Sequence, residues 1–187
     1  MSSPLSLRHY SHELLSHSHA HAQLVFGLSG RLDFEIAGCA SQVTRQTLAV
    51  IPSDARHACG SREGSQCLVL DVPSEHWLQQ QLGGHLDAAR RLLEKPAAVS
   101  LNPAQSQLVS WLAASPINDP VIAQQGAALL LASLANAGAS DQAAFEMAKA
   151  RMAGKRDAIN QVRSAAAALA GAPTDWKALR SRTGICD

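Results

Sequence analysis

The chain has 187 residues, of which 47% are apolar, 17% charged and 4% aromatic, with a formal net charge of +1. That length holds one ordinary domain, or a compact domain of roughly 80 to 100 residues with an appended piece, and the alanine- and leucine-rich composition excludes a disordered chain. The longest apolar runs, such as GAALLLASLANAG at 126–138, fall short of the roughly 18 to 20 residues that span a bilayer, and the N-terminus lacks a basic-then-apolar signal, so the expectation is a soluble cytoplasmic protein with no membrane partner.

From about residue 5 to 73 the sequence alternates and breaks often. LSLRHYSH, AQLVFGLSG, RLDFEIAG, SQVTRQTLAVIP and QCLVLDVP are short runs with β-branched or aromatic residues, each bounded by Gly, Pro, Ser or Asp. Strands so closely spaced predict an antiparallel sandwich or barrel. LSGRLDF reads as a hairpin with Gly30 at its turn.

After Pro73 the grammar becomes helical. SEHWLQQQL starts with Ser74 as N-cap, and HLDAARRLLEK stops before Pro96. NPAQSQLVSWLAAS opens with Asn102 and a first-turn Pro103; DPVIAQQGAALLLASLANAG has Asp119 as cap, Pro120 at the first position and Gly138 at its end. This last helix is apolar around much of its circumference, which predicts burial in the domain or against a second copy in a homodimer. The fold class is therefore α+β, with boundaries at 1–73 for the strand-rich part, 74–138 for a helical linker or dimerisation region and 139–187 for a basic helical segment.

Four cysteines, Cys39, Cys59, Cys67 and Cys186, show no CxxC or zinc-ribbon spacing and read as reduced thiols. The histidines are more informative. HSHAH at 17–21 places His17, His19, His21 and Gln23 at alternate positions, on one face if the segment is a strand. A metal ion needs three or four donors at roughly 2 Å, more than one strand readily supplies. His57, in IPSDARHACG, follows a Pro-containing turn and leads into another strand, as a ligand on a neighbouring strand would. His9, His12, His76 and His85 have no partner spacing.

The two stretches resemble the two cupin motifs. The first, HxHxxxE followed by six residues and Gly, is matched by His17, His19, Gln23 and Gly30; the second, PxGxxH, by Pro52, Asp54 and His57. The departures are Ser11, Gln46, Asp54 and Ser61 at non-ligand positions, and Gln23 in place of the ligand Glu. The resemblance implies a cupin-like antiparallel sandwich and a metal set of His17, His19, Gln23 and His57, for zinc, nickel, iron or manganese. A neutral amide in place of a carboxylate lowers affinity and leaves a metal-free effector pocket as the alternative. His21 and Cys59 are further candidates to line that pocket, His21 as a support or competing ligand and Cys59 as a cavity thiol or simply a small buried hydrophobe.

Charge is distributed unevenly. Residues 1–148 carry eight Lys/Arg against twelve Asp/Glu, a balance of −4, whereas residues 149–187 carry eight against three, a balance of +5. A basic segment is a solvated helix face or the footprint of a nucleic-acid contact. Here a basic helical stretch at about 142–170 precedes a GAPTD break, and Trp176, Leu179 and Ile185 about Gly184 resemble the start of a helix-turn-helix of the AraC/XylS type, whose base-reading helix would lie beyond Asp187. Cupin motifs followed by helices and then this segment resemble an AraC-type transcription regulator over nearly the whole chain. That resemblance implies DNA as partner, a small-molecule effector and a homodimer, with Arg163, Lys177, Arg180 and Arg182 as phosphate contacts. Two alternatives from other classes are a small metal-dependent cupin enzyme, disfavoured by Gln23 in place of the usual acid/base carboxylate, and a dimerising decoy without a recognition helix.

Overall fold

A computed structural model describes residues 3–12 and 15–136. Their strands are β1 (Leu5–Tyr10), β2 (Leu15–His17), β3 (Gln23–Gly30), β4 (Leu32–Ile36), β5 (Cys39–Val43), β6 (Thr47–Ile51), β7 (His57–Gly60), β8 (Ser65–Asp71) and β9 (Ala97–Ser100). They form two antiparallel sheets, ordered β1-β8-β3-β6-β9 and β2-β7-β4-β5. This is the α+β architecture expected, with a two-sheet sandwich first and helices after it.

The central strands of the first sheet, β3, β6 and β8, are buried on both faces, and their sequences show why. Leu24, Phe26, Leu48, Val50, Leu68 and Leu70 point to one side, into a core shared with the helices. Their neighbours Val25, Ala49, Ile51, Cys67 and Val69 point to the other and meet Leu32, Phe34, Ile36 and Val43 of the second sheet. Strands covered on both faces read as unbroken apolar runs, as LVF and LVL do here. Each of the Val, Leu, Ile and Phe side chains contributes about 1.5–3 kcal/mol by leaving water, so the central strands anchor the fold.

The helices start where local chemistry places them. α1 (Glu75–Leu82) is capped by Ser74, whose hydroxyl accepts from the Trp77 N–H at 3.1 Å. A 3-10 turn (Gly83–His85) leads to α2 (Leu86–Leu93). α3 (Pro103–Ala114) begins with a reciprocal capping box between Asn102 and Gln105, each side chain bonded to the other's backbone at 2.9 Å. The fourth helix, α4, occupies residues 120–136, and Asp119 caps it by accepting from Val121 and Ile122. Ala123, Ala127, Leu130, Leu131, Leu134 and Ala135 of α4 are buried in the core shared with the first sheet.

Three expectations change. Residues 17–23 are not one strand: β2 lies in the second sheet, β3 in the first, and residues 18–22 carry the chain between them. LSGRLDF is not a hairpin either. Gly30 does take the left-handed turn conformation (φ +71°), but β3 already has β6 and β8 on its two edges, so β4 has nowhere to pair and crosses to the other sheet. Finally, β9 arises inside the segment read as purely helical, pairing Ala97–Ser100 with Val50–Thr47 and covering the edge of β6.

Gly27 marks a close approach. A Cβ built there would stand 2.2 Å from the carbonyl oxygen of Thr44, which is backbone and has no rotamer to give way. Gly27→Ala should therefore lower stability by about 2–3 kcal/mol, in the range of overpacked cores. Urea denaturation checks this; a variant as stable as the parent would refute the close approach.

Candidate metal centre where the chain crosses between sheets

β2 is short and, among the described residues, pairs only with β7, in a register that sets His17 directly opposite His57. Their ring centroids are 4.2 Å apart. His19, on the crossing segment, brings its ring to 4.9 Å from that of His57 and 6.0 Å from that of His17. One ligand atom from each of the three lies within 4.8 Å of the others. Bonds of about 2 Å to one ion would draw the three donors further together.

Hydrogen bonding selects the tautomers. His57 Nδ1 is 2.9 Å from the Ala55 carbonyl and His19 Nδ1 is 2.6 Å from the His21 carbonyl. A carbonyl only accepts, so both Nδ1 atoms carry the proton and both Nε2 atoms present a lone pair. The Nε2 of His19 is buried without a hydrogen-bond partner among the described residues. A buried unpaired acceptor is costly, and a cation shared with its neighbours would satisfy it. The donor set therefore fits a divalent ion, with Nδ1–H···O=C bonds that orient the rings.

His57 is only 2% exposed. Burial holds its pKa below the ordinary 6.5, and the neighbouring His17 and His19 lower it further against the opposing Ala55 hydrogen bond. The neutral ring that results is the ligand form.

Gln23 is buried at the start of β3, and its amide Nε2 donates to Asp71 Oδ1 at 2.6 Å. The same carboxylate receives Arg8 and lies 3.3 Å from His21 Nε2. His21 in turn stacks on His19, with centroids 4.2 Å apart and planes 12° from parallel. The structure thus gathers His17, His19 and His57, and ties Gln23 and His21 to Asp71. Sequence reasoning missed Asp71; its available signal was a carboxylate ending the apolar run CLVL, two residues before Pro73.

Other motif positions find partners too. Asp54, standing where the motif has Gly, takes φ +61°, a conformation Asp adopts more readily than most residues, and its N–H donates to the His19 carbonyl at 2.8 Å. Ser61 N–H donates to the Ser11 carbonyl at 3.0 Å, so these two departures meet one another. Cys59 packs on the core between the sheets, where burial pushes its thiol pKa up; burial also pushes that of Cys67 up to about 12. Both thiols act as small apolar groups at neutral pH. Arg163, Lys177, Arg180 and Arg182 lie outside the described residues.

The chain matches no protein-family profile. Over 66 residues, 35% of this chain, it is 36% identical to an uncharacterized HTH-type transcriptional regulator, YobQ of Bacillus subtilis (strain 168), and the match spans 27% of that relative's length. Among solved structures it is similar to unsaturated fatty acid-bound ToxT of Vibrio cholerae strain SCE256, with TM-score 0.49 and 9% identity over 71% of this chain and 53% of that one. It is also similar to the AraC-like transcriptional activator CuxR, with TM-score 0.46 and 11% identity over 72% and 52% of the two chains. A cupin-2 domain protein of Shewanella frigidimarina NCIMB 400 aligns with TM-score 0.33 and 18% identity over 35% of this chain and 65% of its own. Among the described residues no helix is long and apolar enough to cross a membrane.

The depressed pKa of His57 gives a pH signature without metal. Above the ordinary value of 6.5 the ring is neutral whether the chain is folded or not, so it adds no pH dependence. Below 6.5 the unfolded chain takes up the proton first, and stability falls as pH falls until the folded ring also titrates. In a chelator, unfolding free energies measured in urea should decline just below pH 6.5, and His57→Gln should make that decline shallower. An unchanged slope in the variant would contradict the burial argument.

Proposed function

We propose that the chain is part of a transcription regulator of the AraC type that senses a divalent metal or a small effector and so controls binding to DNA. The histidine triad, with its unpartnered His19 Nε2, is the observation that carries the sensing half of this reading. The regulatory half is supported by the match to an HTH-type regulator. In this reading residues 1–73 form the sensor, 74–138 a helical linker and dimerisation region, and 139–187 a basic segment at the start of the DNA-binding half.

His17, His19 and His57 would hold the ion, with Gln23, at the position of the motif's fourth ligand, as a weak further donor. When bound, a divalent cation supplies a positive charge that neutral imidazoles share. The chain's own contribution is positional: β2 and β7 pair within the second sheet, segment 18–22 crosses from it to the first, and shared ligation would fix the crossing segment against the β2–β7 pair. A switch needs such differential affinity for two arrangements of the chain. The regulatory reading is preferred to an enzymatic one because Asp71, the carboxylate tied to this network, already serves Arg8, Gln23 and His21. Arg163, Lys177, Arg180 and Arg182 supply phosphate contacts, which position a protein on DNA without reading its sequence. Homodimerisation belongs to the same reading, with Trp111, Val121 and Leu129 left 61%, 70% and 54% exposed on α3 and α4.

The test is fluorescence anisotropy of the natural gene product on a duplex from upstream of its own gene, with and without Co²⁺, which also reports binding through its visible absorption. Metal should change DNA affinity about tenfold, within the usual range of coupling between sites. His17→Ala and His19→Ala should abolish the change, while His9→Ala should retain it. Equal DNA affinity with and without metal would remove metal control. Absence of DNA binding altogether would remove the regulator reading.

A further inference from the structure

We propose that the cleft between segment 20–22, the turn at Pro52–Ser53 and helices α1–α2 is a second ligand site, built for a small organic cation with an apolar body. The cleft encloses about 540 Å³, a volume suited to small-molecule ligands. Ala22, Val72, Leu78 and Leu93 form its floor, each less than a tenth exposed. A floor of this kind favours a hydrocarbon or aromatic body.

The rim decides the charge of the ligand. Glu75, Arg90 and Glu94 line it. The Arg90 guanidinium is already occupied, by Glu75 through Nε at 2.9 Å and a second nitrogen, and by Asp87 at 3.2 Å. Glu94 enters no ion pair among the described residues, and it stands at the C-terminus of α2, where the helix dipole adds negative potential. The N-terminus of α1 would favour an anion, but Ser74 caps it and Glu75 sits in its first turn. The rim is therefore net negative and selects an ammonium or amidinium head group.

The same walls support the histidine triad. His21, in the wall at 20–22, accepts the His19 Nδ1 proton at its carbonyl and stacks on the His19 ring. Val72 N–H holds that wall through the Ala22 carbonyl at 2.9 Å. On the opposite side Pro52 and Ser53 lead into Asp54, which binds the His19 carbonyl, and Ala55, whose carbonyl holds His57. A ligand seated in the cleft touches the segments that orient two of the three imidazoles. Cation binding and metal binding are then coupled, and the coupling is reciprocal. This second clause rests on the metal-sensing reading; the cleft site itself does not.

Binding is tested on the metal-free 187-residue chain by following backbone amide NMR signals with benzylammonium, and with phenylacetate as a probe of similar shape and opposite charge. Benzylammonium should shift the amides of Ala22, Ser53, Leu78 and Glu94 saturably, and phenylacetate should not. Glu94→Gln, at an exposed position, should weaken binding at least about fivefold, and Ala20→Phe, also exposed, should block it. Equal binding of the two probes, no binding of either, or shifts confined to the core between the sheets would overturn the proposal. Co²⁺ titrations with and without saturating benzylammonium then test the coupling: a changed Co²⁺ affinity supports it, and an unchanged one overturns the link while leaving the cation site. Loss of Co²⁺ binding with benzylammonium binding intact would count against the metal reading alone.

Discussion

Burial of the first sheet's central strands on both faces is the constraint from which the other features of this structure derive. Because β3, β6 and β8 must cover apolar side chains on each side, the chain needs two further layers. The helices supply one and the second sheet the other. The second sheet in turn forces crossings, since strands adjacent in sequence end up in different layers. Segment 18–22 is one such crossing, and it carries the histidines. A crossing segment has no ladder to satisfy its backbone, so its polar groups find partners elsewhere: the His19 carbonyl with Asp54, the Ala22 carbonyl with Val72.

Those backbone partnerships give the histidine cluster its chemistry. Two imidazoles are fixed in the same tautomer by carbonyls two residues away in the chain, one following His19 and one preceding His57. The third comes opposite His57 through strand register. Local hydrogen bonds set which nitrogen faces the cluster, and long-range pairing sets the distance between rings. Asp71 completes the arrangement from the first sheet, gathering Arg8, Gln23 and His21 around one carboxylate. Gln23 is thereby explained as a hydrogen-bond donor to that carboxylate, a role that a Glu at the same position would fill only when protonated.

The cleft beside His21 shows how the same segment serves two surfaces. Residues 20–22 meet the triad through the His21 carbonyl and ring and also line the cleft. The space between the sheets is filled by Val25, Phe34, Ile36, Ile51 and Val69, so a ligand near the histidines finds room at the edge of the sandwich, against α1 and α2. In the proposed site the helices that come after the sandwich are part of the binding architecture, and Glu75, Arg90 and Glu94 place its charges.

What the sequence determined by itself was local. The starts of α1, α3 and α4 were legible at Ser74, Asn102–Pro103 and Asp119 because a cap is a contact within three residues. Strands β1, β3, β4, β6 and β8 were legible from their apolar runs, whereas the single run SQVTRQTLAVIP spans the end of β5 and all of β6. Pairing of His17, His19 and His57 was legible only through motif spacing, since no local rule brings residue 57 to residue 17. Tertiary structure alone decided the sheet that each strand joined, the failure of the Gly30 turn to close a hairpin, the appearance of β9 and the meeting of Asp71 with Arg8, His21 and Gln23. In each case the outcome depends on which strand edges are already taken. That competition is settled between segments tens of residues apart, whereas caps and apolar runs are settled within one turn or one strand.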